Sequence, residues 1–93
     1  MVEKFLEGKG VLITGGASGF GRGVANEFAK RGADLVLVDI NEELLGETSK
    51  KIEQETKCKI IPIVCDVSDS KQVKDMTEQA FNELENVYIK CLF

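Results

Sequence analysis

The chain has 93 residues, of which 43% are apolar and 30% charged, and it carries a net charge of −4. That length suits one small domain, the composition is that of a folded protein rather than a disordered one, and the acidic balance argues against nucleic-acid or anionic-membrane partners. Histidine is absent and Cys58, Cys65 and Cys91 lack Cys-x-x-Cys spacing, which excludes Ser-His and Cys-His catalytic pairs and argues against a zinc site or a disulfide framework.

Residues 1–9 read as a short lead-in, with Phe5 and Leu6 expected under the sheet edge. Its apolar content is too short for a signal peptide, and no run approaches the ~20 residues of a membrane span. The expectation is a soluble, cytoplasmic protein with reduced thiols. Val11 to Thr14 read as a first strand, apolar throughout and therefore covered on both faces. A glycine-rich turn follows, Thr14-Gly15-Gly16-Ala17-Ser18-Gly19-Phe20-Gly21. A first helix starts near Phe20, where Phe20, Val24, Ala25, Phe28 and Ala29 recur at helical spacing, and Gly32 sits as its C-terminal cap after Lys30 and Arg31.

Ala33 to Val38 read as a second strand closed by Asp39. Asn41 is the expected N-cap of a second helix, with Glu42 and Glu43 in a first turn that favours negative charge. Leu44, Leu45, Thr48 and Ile52 give that helix an apolar face, and it should end before Lys57. Gly46 within it costs ~1 kcal/mol relative to alanine. Ile60, Ile61, Ile63 and Val64 read as a third strand interrupted by Pro62, the only proline. Proline lacks a ladder donor and belongs on an edge, which is where the third strand falls in the order 3-2-1-4. Ser68 is the expected cap of a third helix, whose face comprises Val73, Met76, Thr77, Ala80, Phe81 and Leu84; Val87 to Phe93 read as a fourth strand. The β-α-β-α-β-α-β alternation predicts an α/β fold with a parallel, right-handed, Rossmann-like sheet flanked by helices, and residues 1–93 as one half-domain.

The chemistry is concentrated at the glycine turn. Strand, glycine turn and helix in succession are what a dinucleotide-phosphate loop requires. Glycine lets the chain leave the strand sharply, lets backbone approach a pyrophosphate, and lets the helix pack closely on the sheet. The first helical N–H groups have no partner inside the helix and can face an anion. Asp39 lies near the expected separation of roughly 20 residues, where a carboxylate accepts from ribose hydroxyls and repels a 2′-phosphate.

Thr14-Gly-x-x-x-Gly19-x-Gly21 resembles the loop of the classical short-chain dehydrogenase/reductase family, and the likeness continues through Asp39 to Asp66-Val67, which looks like that family's adenine-contacting pair. It extends to about Val87, and the wording around "EFAKRGADLVLVDIN" is similar to retinol and hydroxysteroid dehydrogenases. The resemblance implies a cofactor-binding set of Thr14, Gly15, Ser18, Gly19, Phe20, Gly21, Asp39, Ile40, Asp66 and Val67. It also implies an oxidoreductase of alcohols and ketones. The membrane-attached members of that subgroup carry an N-terminal apolar segment with no counterpart here.

Beyond Val87 the likeness fails: Tyr88-Ile89-Lys90-Cys91-Leu92-Phe93 stands where the family has an apolar strand and an Asn-Asn-Ala-Gly turn. The chain therefore reads as truncated relative to the family. The family's serine and Tyr-x-x-x-Lys pair have no match either. Tyr88 is the only tyrosine, four residues before Leu92, and it reads as a strand residue rather than a proton donor. No catalytic residue and no metal site is expected.

Several residues keep two readings: Ser18 as a phosphate ligand or a turn-former, Thr14 as a loop support or a plain strand end, Asp66 as an adenine acceptor or a turn acid. Arg22 reads as a solvated helix residue rather than a pyrophosphate ligand, and Cys65 as a small buried hydrophobe. Gly16, Ala17, Ser18, Ile40 and Asn41 are uncharged, so no cation in these loops offsets Asp39 against a 2′-phosphate, and NAD is expected in preference to NADP. The alternatives to an oxidoreductase part are a non-catalytic nucleotide-binding module and an interaction protein whose unfinished sheet self-associates.

Overall fold

The computed structural model describes residues 6–17 and 19–84 together with the backbone of Val87–Cys91. Phe5, Ser18, Leu92 and Phe93, and the side chain of Tyr88, lie outside the described residues. Seven elements alternate along the chain: β1 (Gly10–Thr14), α1 (Gly19–Lys30), β2 (Asp34–Asp39), α2 (Glu42–Thr56), β3 (Ile60–Val64), α3 (Ser70–Glu83) and β4 (Val87–Cys91). The strands form one four-stranded sheet in the order β3-β2-β1-β4, every pairing parallel. The Rossmann-like α/β alternation is as expected, and Pro62 lies on the edge strand β3 with its ring exposed.

The continuous apolar runs of β1 and β2 make sense once both sheet faces are covered. Side chains alternate across the sheet. Val11, Ile13, Leu35 and Leu37 point to one face, where they pack with Ala25 and Ala29 of α1 and Leu45 and Ile52 of α2. Leu12, Val36, Val38 and Ile63 point to the other, against Met76, Ala80 and Leu84 around α3. In register, Thr14 pairs with Val38 and Asp39 with Val64, so the first three strands end together. Whatever follows them is gathered at the carboxyl ends of the strands.

Helix ends follow local chemistry. Asn41 caps α2, its side chain accepting from the Leu44 N–H at 3.0 Å. Gly32, with φ +95°, closes α1. Lys57, with φ +64°, closes α2, its N–H donating to the Glu53 carbonyl. No helix among the described residues is long and apolar enough to cross a membrane.

Four expectations are corrected. Strand β2 is Asp34–Asp39, one residue later at each end than Ala33 to Val38, so Asp39 is its last member. The cap of α3 is Asp69, not Ser68: the Asp69 carboxylate accepts from the N–H groups of Lys71 and Gln72, while Ser68 turns back to Asp66. Phe20 is 76% exposed rather than part of the core face of α1, because that face is centred on Gly21, Ala25 and Ala29, and Phe20 sits at the helix tip. Leu44 and Phe81 are likewise exposed: the buried stripe of α2 is Leu45, Thr48, Ser49 and Ile52, and that of α3 is Met76 and Ala80.

The capping assignment predicts opposite outcomes for neighbouring substitutions. Asp69→Ala should cost about 1 kcal/mol of stability by denaturant unfolding, the usual loss on removing an N-cap. Ser68→Ala should leave the α3 amides as protected from exchange as in the parent chain.

Candidate functional site

The turn between β1 and α1 is shaped by its glycines. Gly15 has φ +67° and Gly19 φ +57°, conformations that L side chains rarely adopt. Since Gly19 is itself left-handed, the helical backbone begins at Phe20. Gly21 is required for a different reason: a Cβ there would overlap the carbonyl oxygen of Gly15 and stand 2.8 Å from its carbonyl carbon. With Gly21, Ala25 and Ala29 all small and buried, α1 lies close on the sheet, and its first turn abuts the loop.

Within the turn, two amides are already committed. The Gly16 N–H donates to the Val38 carbonyl at 3.2 Å, and the Ala17 N–H donates to Asp39 Oδ2 at 3.1 Å. Neither of these is available to a ligand, and since the first-turn amides of a helix have no intrahelical acceptor, the start of α1 is where an anion could be met. Thr14 is buried at the end of β1, beneath the loop.

Asp39 is half-buried where β2 meets this loop. Its Oδ2 accepts from Ala17 and its Oδ1 accepts from the Asn41 N–H at 3.0 Å, while its backbone carbonyl accepts from the Cys65 N–H at 3.1 Å. One residue thus ties together the segments after β1, β2 and β3. A carboxylate has about four lone-pair positions, so two amide bonds leave acceptor capacity for a ligand hydroxyl. Ile40, 65% exposed, and Val67, 51% exposed, stand after β2 and β3. With Phe20 after β1, each of the first three strands is followed by an uncovered apolar side chain.

Asp66 occupies a tight turn. Its Oδ1 accepts from the Ser68 hydroxyl at 2.7 Å and from the Ser68 N–H at 2.9 Å, and these bonds hold its carboxyl below the ordinary aspartate value. The same residue's N–H donates to Gln72 Oε1. Cys65 beside it is buried, and burial foremost, with Asp66 and Asp69 adding, pushes its thiol up from the ordinary cysteine value. It is a small core residue, as expected. Arg22 is exposed on α1, also as expected. No group of three or more histidine, cysteine or acidic side chains among the described residues could hold a metal ion.

One participant escaped the sequence reading. Thr48, placed there in an apolar stripe, donates its hydroxyl to the Ala17 carbonyl oxygen at 3.0 Å. A hydroxyl on an otherwise apolar face was the available signal, since a buried donor needs an acceptor. Separately, a groove of about 980 Å³ runs along the outer flank of α1, lined by Leu6, Phe20, Val24 and Phe28 among others. Among the described residues it touches the loop only at Gly19 and Phe20, and Asp39 takes no part in it.

Residues 9–90 match the family model described as short chain dehydrogenase. The chain is 45% identical over 87 residues to the Bos taurus protein named short-chain dehydrogenase/reductase family 16C member 6, covering 94% of this chain and 28% of that protein. It is 37% identical over 87 residues to epidermal retinol dehydrogenase 2 of Mus musculus, with the same coverage of 94% and 28%. Among solved structures, a Mycobacterium smegmatis short chain dehydrogenase superposes with a TM-score of 0.90 at 29% identity, over 96% of this chain and 38% of that one. A Burkholderia phymatum short chain dehydrogenase/reductase in complex with NAD superposes with a TM-score of 0.85 at 33% identity, over 97% of this chain and 31% of that one. The chain thus spans less than a third of the length of those two curated relatives.

The loop geometry predicts a contrast between two glycines of α1. Gly21→Ala should destabilise the chain by about 1–3 kcal/mol, as overpacking does, because its Cβ meets backbone that cannot move aside. Gly23→Ala has open space at its Cβ and should stabilise by about 0.4–1 kcal/mol. Urea unfolding of both variants beside the parent chain measures the difference.

Proposed function

Because the chain belongs to the short-chain dehydrogenase family, we propose that it is the dinucleotide-binding portion of an NAD-dependent oxidoreductase of alcohols and ketones. The carrying observation is the convergence on Asp39, which links the turn after β1 to the segments after β2 and β3 at the carboxyl ends of the strands. In this reading the first-turn amides of α1, with Gly15, Ser18, Gly19, Phe20 and Gly21 shaping their approach, receive the diphosphate. Thr14 supports the loop from below. Asp39 accepts from the adenosine ribose, and Ile40, Asp66 and Val67 border the adenine. The bound nicotinamide supplies hydride transfer. The proton-transfer groups of the family have no counterpart at Tyr88 and Leu92, so we assign proton transfer to residues outside this chain. All 93 residues then act as one cofactor-binding half-domain, and the free thiols Cys58 and Cys65 suit a reducing, cytoplasmic setting.

NAD is the cofactor we favour over NADP. The Asp39 carboxylate would face a 2′-phosphate with no lysine or arginine at positions 15–18 or 40–41 to offset it. Two unit charges 4 Å apart repel by about 4 kcal/mol at an effective dielectric constant of 20. Of the solved relatives, one from Burkholderia phymatum is a complex with NAD and one from Gluconobacter frateurii a complex with NADPH, so the choice rests on Asp39. Calorimetric titration should give a Kd for NAD lower than that for NADP by about tenfold or more, equivalent to about 1.4 kcal/mol per decade. Asp39→Ser should shrink the gap, and equal affinities in the parent chain would remove the proposal.

A second reading, pairing with another protein chain, is favoured by the apolar groove along α1 and by β4, whose only partner among the described residues is β1. Sedimentation velocity over rising concentration should then show species heavier than the monomer. A constant monomer removes this reading and leaves the first untouched.

A further inference from the structure

Thr48 sits in the buried stripe of α2 and is 2% exposed. A threonine hydroxyl in a helix usually finds its acceptor in its own helix, at the carbonyl four residues back. Thr56 does so, donating to the Ile52 carbonyl at 2.7 Å, and Thr77 does so to the Val73 carbonyl at 2.8 Å. Thr48 instead crosses to the glycine turn and donates to the Ala17 carbonyl at 3.0 Å. The N–H of that same alanine donates to Asp39 Oδ2. Ala17 is therefore held at both of its polar ends by residues 22 and 31 positions away in sequence.

The two holds are not independent. Asp39 also accepts from the Asn41 N–H, and Asn41 caps the helix that carries Thr48. A closed circuit runs from the turn to Asp39, through Asn41 into α2, and back through Thr48 to the turn. We propose that Thr48 is a positioning residue for the dinucleotide site, orienting the glycine turn from α2 through the Ala17 carbonyl. A peptide unit is planar, so fixing that carbonyl fixes the plane of the peptide bond that leaves Ala17. The diphosphate then meets amides already aimed, and no turn has to be ordered at the moment of binding. This inference rests on the dinucleotide reading above.

Ser49 supplies an internal control. It is the next residue, buried on the same helix face, and its hydroxyl has no hydrogen-bond partner among the described residues. Removing it should leave the turn as it was.

The test compares Thr48→Val, which keeps the shape and loses the donor, with Thr48→Ser, which keeps the donor, and with Ser49→Ala. All are made in the full chain. NAD affinity is measured by calorimetry, and exchange of the Ala17 amide is followed by NMR without ligand. Thr48→Val should weaken NAD binding by about fivefold, the scale of one neutral hydrogen bond, and should speed Ala17 exchange. Thr48→Ser should restore both, and Ser49→Ala should change neither. If Thr48→Val does not fold, Thr48→Ala removes the same hydroxyl and carries the comparison. Parent-like NAD binding in the donor-less variant, or an equal loss in Thr48→Ser, overturns the inference and leaves the dinucleotide reading standing. A parent chain that does not bind NAD overturns that reading instead. Ala17 exchange then still decides whether the hold exists: unchanged exchange in the donor-less variant rejects it.

Discussion

The hydrogen bond from the Ala17 N–H to the Asp39 carboxylate is the contact on which the rest of the site depends. It joins a turn that has no regular structure of its own to the end of a central, fully covered strand. Hydrogen bonds to a charged acceptor contribute about 1.5–3 kcal/mol each when well shielded, and less for a half-exposed carboxylate such as this one. Its importance is geometric as much as energetic. The Gly16 and Ala17 amides are both committed inward, to the Val38 carbonyl and the Asp39 carboxylate. The same carboxylate holds Asn41, and through that cap the register of α2.

The fold places these groups by simple means. Strands β1, β2 and β3 run parallel and end level, so all three following segments meet at their carboxyl ends. Both faces of β1 and β2 are covered by helices, α1 and α2 on one and α3 on the other. The small residues Gly21, Ala25 and Ala29 bring α1 close enough for its amino end to abut the loop. The two curated relatives are more than three times longer than this chain, which covers 28% of each.

Much of this was legible in the residues. The unbroken apolar runs announced doubly covered parallel strands, Pro62 announced an edge, and Asn41 and Gly32 announced helix ends, because each rests on a local steric or hydrogen-bonding rule. The turn from Thr14 to Gly21 and the acid at 39 were legible as a pair because their spacing reflects one strand-helix-strand unit. Three things were not. Phe20 and Phe81 looked like core residues because periodicity reports which side of a helix is apolar but not where the sheet stops. Ser68 and Asp69 are adjacent potential caps, and only the bonds Ser68 makes to Asp66 decide between them. The Thr48 hydroxyl on an apolar face signalled a need for an acceptor, but tertiary packing alone makes that acceptor the Ala17 carbonyl.

The most direct test of the central claim is an NMR titration of the labelled chain with ADP-ribose, following every backbone amide. The account predicts shifts concentrated at Gly15 and Gly19 to Arg22, with a second group at Asp39 to Asn41, and little change along α3. Saturable binding whose shifts fall on α3 or along the outer flank of α1, leaving the turn and Asp39 unmoved, would contradict it.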